Sequence, residues 1–247
     1  SETADRPRGL IVTSDVAEGE VLLTLPSTLQ LGLDTCKGVP ALLKAVPPAM
    51  WSARLGLAAL HEAKRGSDSA FEPYLAALPA TLTSCLASSG SAALAPWPPT
   101  AQRAKAMRES LRSLHATLVA RAKADGAAID PPPSVDELGW ATAIAGSRAY
   151  RVRGERGQGG DAARLLPLVD LANYATAESA NAELRNAPAE SSPGGSTDPF
   201  AVSLYASRPI AANSDVLIDY GFGSPISNER LLLEYGFVLD PHPHDTL

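Results

Sequence analysis

Apolar and polar positions change their spacing twice along this chain. From residue 8 to 34 they fall in short runs broken by turn residues. Gly9-Leu10-Ile11-Val12 is followed by a turn at Glu18-Gly19-Glu20, then by Val21-Leu22-Leu23-Thr24-Leu25, which Pro26 stops. Runs of this kind predict strands. Between about 39 and 150, Leu55, Leu57 and Leu60, and later Met107, Leu111, Leu114 and Leu118, recur at helical spacing among charged residues. Pro131-Pro132-Pro133 leads into Ser134-Val135-Asp136-Glu137. That is a capping box, in which serine and glutamate satisfy free N–H groups at a helix start. The helix it opens carries Trp140, Ile144 and Arg148 and is expected to end at Gly154. From about 164 short strands are expected again, over Leu165–Val169, Phe200–Tyr205 and Val216–Tyr220, with a helix over Asn228–Glu234. Two stretches rich in Gly, Ser, Pro and charge, Gly154–Asp161 and Asn186–Pro199, read as mobile loops, and no internal repeat is visible. Strands, then helices, then strands describe an α+β fold with a helical insertion.

Composition narrows the classes of function. With 247 residues, 45% of them hydrophobic, the chain can bury one large core, or one core carrying an insertion. A net charge of −6 argues against a nucleic-acid binder, which needs a basic face to displace counterions. No apolar run approaches the ~18 residues of a membrane span. The opening residues SETADRPRG lack the apolar core of a signal peptide and an initiator Met, as in a processed or trimmed form. Cys36 and Cys85 lie far apart and outside any CxxC or His-rich setting, so structural zinc and a disulfide framework are not expected, and a reducing compartment fits best.

Several motifs fail on inspection. Gly154-Glu155-Arg156-Gly157-Gln158-Gly159-Gly160 follows no apolar strand and lacks the GxxxxGK[ST] pattern, so it reads as a solvated loop rather than a phosphate cradle. The four histidines, His61, His115, His242 and His244, fall in no metal spacing, and no GxSxG elbow accompanies them. His61 and His115 read as helix-surface residues. The two Tyr-Gly-Phe sequences, at Tyr220 and Tyr235, remain to be explained in a chain with only six tyrosines.

Read together, "RGLIVTSDVAEGEVLLTLP" (8–26), "LLPLVDLANYA" (165–175) and "LIDYGFGSPISNERLLLEYGF" (217–237) resemble the SET-domain methyltransferases. The resemblance is to the plant Rubisco large-subunit lysine methyltransferase group, which carries a helical insertion inside the SET fold. "FEPYLAALP" (71–79) and "WATAIAGSRAY" (140–150) resemble that group's W-x-P-Y-x-x-x-L-P and W-A-x-x-x-x-x-S-R-A-F segments. Five segments in family order cover nearly the whole chain. The resemblance implies short β-sheets with a pseudo-knotted C-terminal segment and a large helical insertion. It divides the chain into an N-terminal SET part (1–38), an insertion (39–139) and a C-terminal SET part (140–247), without the helical substrate-binding domain that follows in plant-type members. It further implies S-adenosyl-L-methionine as cofactor, S-adenosyl-L-homocysteine as product, no metal, and transfer of a methyl group to a protein lysine.

The chemistry accounts for the residue types. Displacement at a sulfonium methyl is in line, so positioning and a suitable electrostatic environment carry the catalysis. A lysine ammonium, with a reference pKa of about 10.4, must first lose a proton, and a narrow apolar-aromatic channel favours its neutral form. By resemblance, Tyr220 is the active-site tyrosine, Tyr235 walls the lysine channel, and Tyr150 fills a position that is aromatic in lysine-directed members. Arg148 lies near cofactor and substrate and is the expected partner of Asp170, a charge in an apolar run. The cofactor falls to Arg6, Pro7, Arg8 and Gly9 of the first loop, to Asn173 and Tyr174, and to Tyr220 and Phe237. Two departures stand out. Pro7 removes one N–H donor, and Tyr174 replaces a histidine common in the family. The basic residues of Arg103–Lys123 suit either an acidic partner or plain solvation. A protein substrate and a monomer are expected, without nucleic-acid or membrane partners. The setting is soluble and intracellular; chloroplast and cytoplasm fit by family analogy, and the nucleus stays open. Two other readings share these residues: a SET-like protein-binding module without turnover, and methylation of another acceptor such as histidine.

Overall fold

The computed structural model describes residues 8–37, 41–82, 94–125, 132–153, 161–186, 198–221, 225–240 and 242. The chain divides into two compact units. The first comprises Ser1–Gln30, Tyr150–Ala162 and Leu166–Pro225, and the second Leu31–Ala149, Ala163–Leu165 and Ile226–Leu247.

The first unit is built on a five-stranded sheet. Its strands are β1 (Val21–Leu25), β4 (Asn173–Tyr174), β5 (Ala182–Asn186), β6 (Val202–Ala206) and β7 (Leu217–Ile218), in the order β1-β6-β5-β7-β4. β6 lies between β1 and β5 and is buried along its whole length, as expected for the run Val-Ser-Leu-Tyr-Ala with neighbours on both edges. Its buried Ser203 is satisfied by Thr24 Oγ1 at 2.8 Å. β4 runs parallel to β7, with Asn173 opposite Leu217 and Tyr174 opposite Ile218. β2 (Ala149–Arg153) and β3 (Asp161–Leu165) form a separate two-stranded sheet. The expected strand over residues 9–12 is instead a single bridge, Ile11 to Asp215, flanked by Val216 N–H donating to the Leu10 carbonyl at 2.9 Å.

The run Leu165–Val169 is not a strand either. β3 ends at Leu165, Pro167 has no N–H to give a ladder, and Leu168 adopts φ 69°, a region costly for a branched side chain. A 3-10 turn over Val169–Leu171 follows, with Asp170 N–H bonded to the Leu166 carbonyl at 3.1 Å. Asp170 therefore sits in a turn rather than a strand, and it is buried.

The second unit is helical: α1 (Trp51–Lys64), α2 (Glu72–Ala77), α3 (Pro98–Asp125) and α4 (Val135–Arg148). Alanines and Gly56 face α4 from α1, and a Cβ at Gly56 would lie 2.6 Å from the Ala141 carbonyl oxygen, so only glycine permits this approach. Leu111, Leu114 and Leu118 of α3 join Leu57 and Leu138 in one buried cluster. α4 opens on the expected capping box, with Ser134 Oγ accepting from Glu137 N–H and Glu137 from Ser134 N–H. It ends at Arg148, not Gly154, because the chain turns extended at Ala149 and enters β2. His115 Nε2 donates to the Pro133 carbonyl at 3.0 Å, so it ties α3 to the start of α4 rather than merely facing water. The expected helix over Asn228–Glu234 is α5 (Asn228–Arg230) continued by a π turn over Leu231–Tyr235. Both glycine- and serine-rich stretches read as mobile loops fall mostly outside the described residues, at 154–160 and 187–197. No helix of the described residues is long and apolar enough to cross a membrane.

Candidate functional site

The first unit gathers several of the sequence-predicted site residues around the β4–β7 pair. The bond from Val216 to Leu10 leads the first loop beside β7 and sets Gly9 against Asn173. A Cβ at Gly9 would stand 2.5 Å from Asn173 Nδ2, so the bare glycine backbone is what allows the contact. A bare backbone, a side-chain amide and adjacent aromatic faces are groups that suit a nucleoside with an amino-acid tail. In type, these residues fit the expected cofactor.

Tyr220 follows β7, where regular pairing has ended. Its hydroxyl donates to the Ala172 carbonyl at 3.0 Å. Its ring packs on that of Tyr174, with centroids 5.3 Å apart and planes inclined at 57°, a favourable aromatic geometry. Ala172 and Tyr174 thus hold the two ends of Tyr220 from one short segment. Burial pushes the Tyr174 phenol above its ordinary range, and the Asp219 and Glu178 carboxylates add to the rise. A phenol that has donated its proton still has lone pairs to accept from another donor.

Beside this group lies a cavity of about 410 Å³, whose lining includes Tyr150, Leu184, Ile218, Glu183, Arg208 and Asp219. Tyr150 is only 6% exposed and belongs to the sheet's core cluster. Asp219, the immediate neighbour of Tyr220, accepts from Gly221 N–H at 2.9 Å. Sequence reasoning singled out Tyr150 and Tyr220 but not Ala172, Asp219, Glu183 or Arg208. Ala172 acts through its carbonyl, which leaves no trace in side-chain pattern. The other three are ordinary surface-type residues until β5 and β7 bring them to one cavity.

The remaining candidates are distributed differently. Arg8 is exposed at the start of the described chain, while Arg6 and Pro7 lie outside the described residues. Arg148, half-buried, closes α4 in the second unit. Tyr235 ends the π turn of the same unit and packs on Phe237, with centroids 6.2 Å apart. Among the described residues no group of three or more His, Cys, Asp or Glu side chains is placed to hold a metal ion.

The architecture, short sheets with a helical body between the strand segments, is the SET fold, as the sequence resemblance led one to expect. The SET domain of LSMT bound to lysine and AdoHcy superposes with a TM-score of 0.70 at 19% identity, over 94% of this chain and 50% of that one. The same domain bound to MeLysine and AdoHcy gives 0.70 at 22% identity with the same coverage. Rubisco LSMT bound to AdoMet gives 0.69 at 20% identity, over 96% and 50%. The chain spans about half the length of these solved proteins. No protein-family model and no curated protein matches it.

Proposed function

We propose that the chain is an S-adenosylmethionine-dependent methyltransferase whose acceptor is a protein lysine. The observation that carries this reading is the clamped Tyr220. Its hydroxyl is fixed by Ala172 and its ring by Tyr174, beside the Gly9–Asn173 contact and a cavity that Tyr150 and Asp219 help to line. The LSMT structures of the same fold hold AdoMet, AdoHcy and lysine or methyllysine, which supports the assignment of cofactor and acceptor. Bound, S-adenosylmethionine would supply an electrophilic methyl group on a sulfonium. Gly9 and Asn173 would hold its polar ends, with Arg8 as a further contact. Asp219 and Glu183 draw the acceptor's ammonium toward the cavity. Tyr150, Leu184 and Ile218 then strip water and favour the neutral amine. The lone pairs of Tyr220 Oη accept from the amine and aim it.

The test is transfer of labelled methyl groups to lysate proteins, followed by mass spectrometry of the modified side chain. A hydroxyl bond to a charged or ionising group is worth about 1.5–3 kcal/mol, so Tyr220→Phe should lower kcat by about 10- to 100-fold while the chain stays folded. Near-normal turnover would remove Tyr220 from this role. A second reading, a protein-binding module without turnover, is favoured by the same hydroxyl bond to Ala172, since a purely structural tyrosine would show it too. Methylation at histidine instead of lysine would appear directly in the mass spectra.

A further inference from the structure

We infer that Arg208 sets the substrate preference of the cavity, by bonding a side-chain carboxylate that the acceptor protein carries near its lysine. The inference rests on the methyltransferase reading for the lysine and deepens it. The sheet's register gives the cavity two ends of opposite charge. Ala182 of β5 stands opposite Ala206 of β6 and beside Ile218 of β7, so one row of residues crosses three strands. β7 runs parallel to β5, and its next residue, Asp219, lies toward Leu184. β6 runs antiparallel to β5. Its pairing continues through Ser207 N–H, which donates to the Asn181 carbonyl at 2.8 Å, and leads Arg208 toward Ala180. Asp219 and Arg208 thus line opposite ends of a cavity that Ala180, Ala182 and Ile218 also line. Three residue steps along the strands and two strand spacings across them separate the two backbones by roughly 14 Å. An extended lysine side chain spans only about 6 Å. With its amine beside Asp219 and Tyr220, the acceptor leaves Arg208 to face another residue of the substrate. Glu183, also on the lining, is already paired with Arg185. Arg208 is exposed and, among the described residues, makes no hydrogen bond or ion pair. Solvent satisfies an exposed guanidinium, and a docked substrate strips part of that solvent. A carboxylate restores the lost bonds through the planar fork. An amide restores fewer, and a cation is repelled.

Peptides capped at both ends, with one central lysine in a background of alanine and serine, test this. A single glutamate is moved through the positions on either side, with glutamine at the same place as the uncharged match. Fluorescein-labelled forms report binding by anisotropy, and labelled S-adenosylmethionine reports kcat/KM. At one position the glutamate peptide should bind about 5- to 10-fold more tightly than its glutamine match, with kcat/KM higher by a similar factor. In Arg208→Gln both ratios should fall toward one, and Arg208→Lys should keep part of the preference. Arg208→Glu should favour lysine over glutamate at that position. Circular dichroism confirms the folding of each variant. Equal binding of glutamate and glutamine peptides at every position overturns the inference. So does a ratio that Arg208→Gln leaves unchanged, and so does the failure of every peptide to bind. Peptides that bind but are never methylated would sink the enzymatic reading instead, and the anisotropy ratios would still decide the role of Arg208.

Discussion

Replacing Asp34 with alanine strands a charge inside the second unit. Arg164, at 0% exposure, pairs through Nη2 with Asp34, itself only 9% exposed, while its Nε and Nη1 have no hydrogen-bond partner. The guanidinium's compensation is therefore concentrated in one carboxylate. Breaking a buried pair by removing one partner typically costs about 3–5 kcal/mol, because the other charge is left desolvated. Against a total stability of about 5–15 kcal/mol, this is a large fraction. At a urea slope of about 2 kcal/mol per M, the midpoint should fall by roughly 2 M. Tryptophan fluorescence is the natural assay, since all three tryptophans, Trp51, Trp97 and Trp140, lie in the same unit as the pair. The double variant Asp34→Ala with Arg164→Met separates the causes. If the loss comes from the orphaned charge, the double variant should recover most of it, as replacements of buried pairs by apolar groups often do. A single variant whose midpoint moves by less than about 0.3 M, corresponding to well under 1 kcal/mol, would refute the reasoning. So would a double variant weaker than the single one.

Further outcomes follow from two buried or bonded side chains, Cys36 and Ser134. Cys36 is buried, and its thiol is pushed up to about 12, first by burial and then by the Glu62 and Asp34 carboxylates. In a Cys85→Ser variant it should react with a disulfide reagent at pH 8 only as fast as the chain unfolds; rapid labelling of the native chain would contradict this. The same shift makes the folded state lose stability as pH rises above the unfolded thiol's value near 9, at about 1.4 kcal/mol per pH unit. At the start of α4, Ser134→Ala should lower stability by about 1 kcal/mol in urea titrations. Glu137 is held below the usual carboxylate range by its bonds from Ser134. The carboxylate's share of the capping contribution should therefore be present above the unfolded carboxylate's pKa and be lost as pH falls through the lower folded value, leaving the serine's own bond. An Ser134→Ala effect that persists unchanged in acid would contradict the coupling.

How much of this was legible beforehand depended on whether the signal was local. The capping box at Ser134–Glu137 and the strand Val21–Leu25 were readable because neighbouring residues decide them. The turn at Leu166–Ala172 was not, since apolar residues fill it as they would a strand and only Pro167 hints at the break. The π turn at Leu231–Tyr235 likewise keeps a helix's residue pattern while changing its hydrogen bonding. Gly9, Asn173, Tyr150 and Tyr220 were singled out because family-like segments carry them. The Asp34–Arg164 pair joins residues 130 positions apart that look unremarkable in isolation, and no periodicity links them.

Cofactor binding tests the central claim most directly. Calorimetric titration of S-adenosylmethionine into the chain should give a saturable heat at one site, and Gly9→Ala should weaken it, because its new methyl group would press on the Asn173 amide. No detectable heat at millimolar ligand, or equal affinity in Gly9→Ala, would contradict the claim that this fold holds its cofactor between the first loop and Asn173.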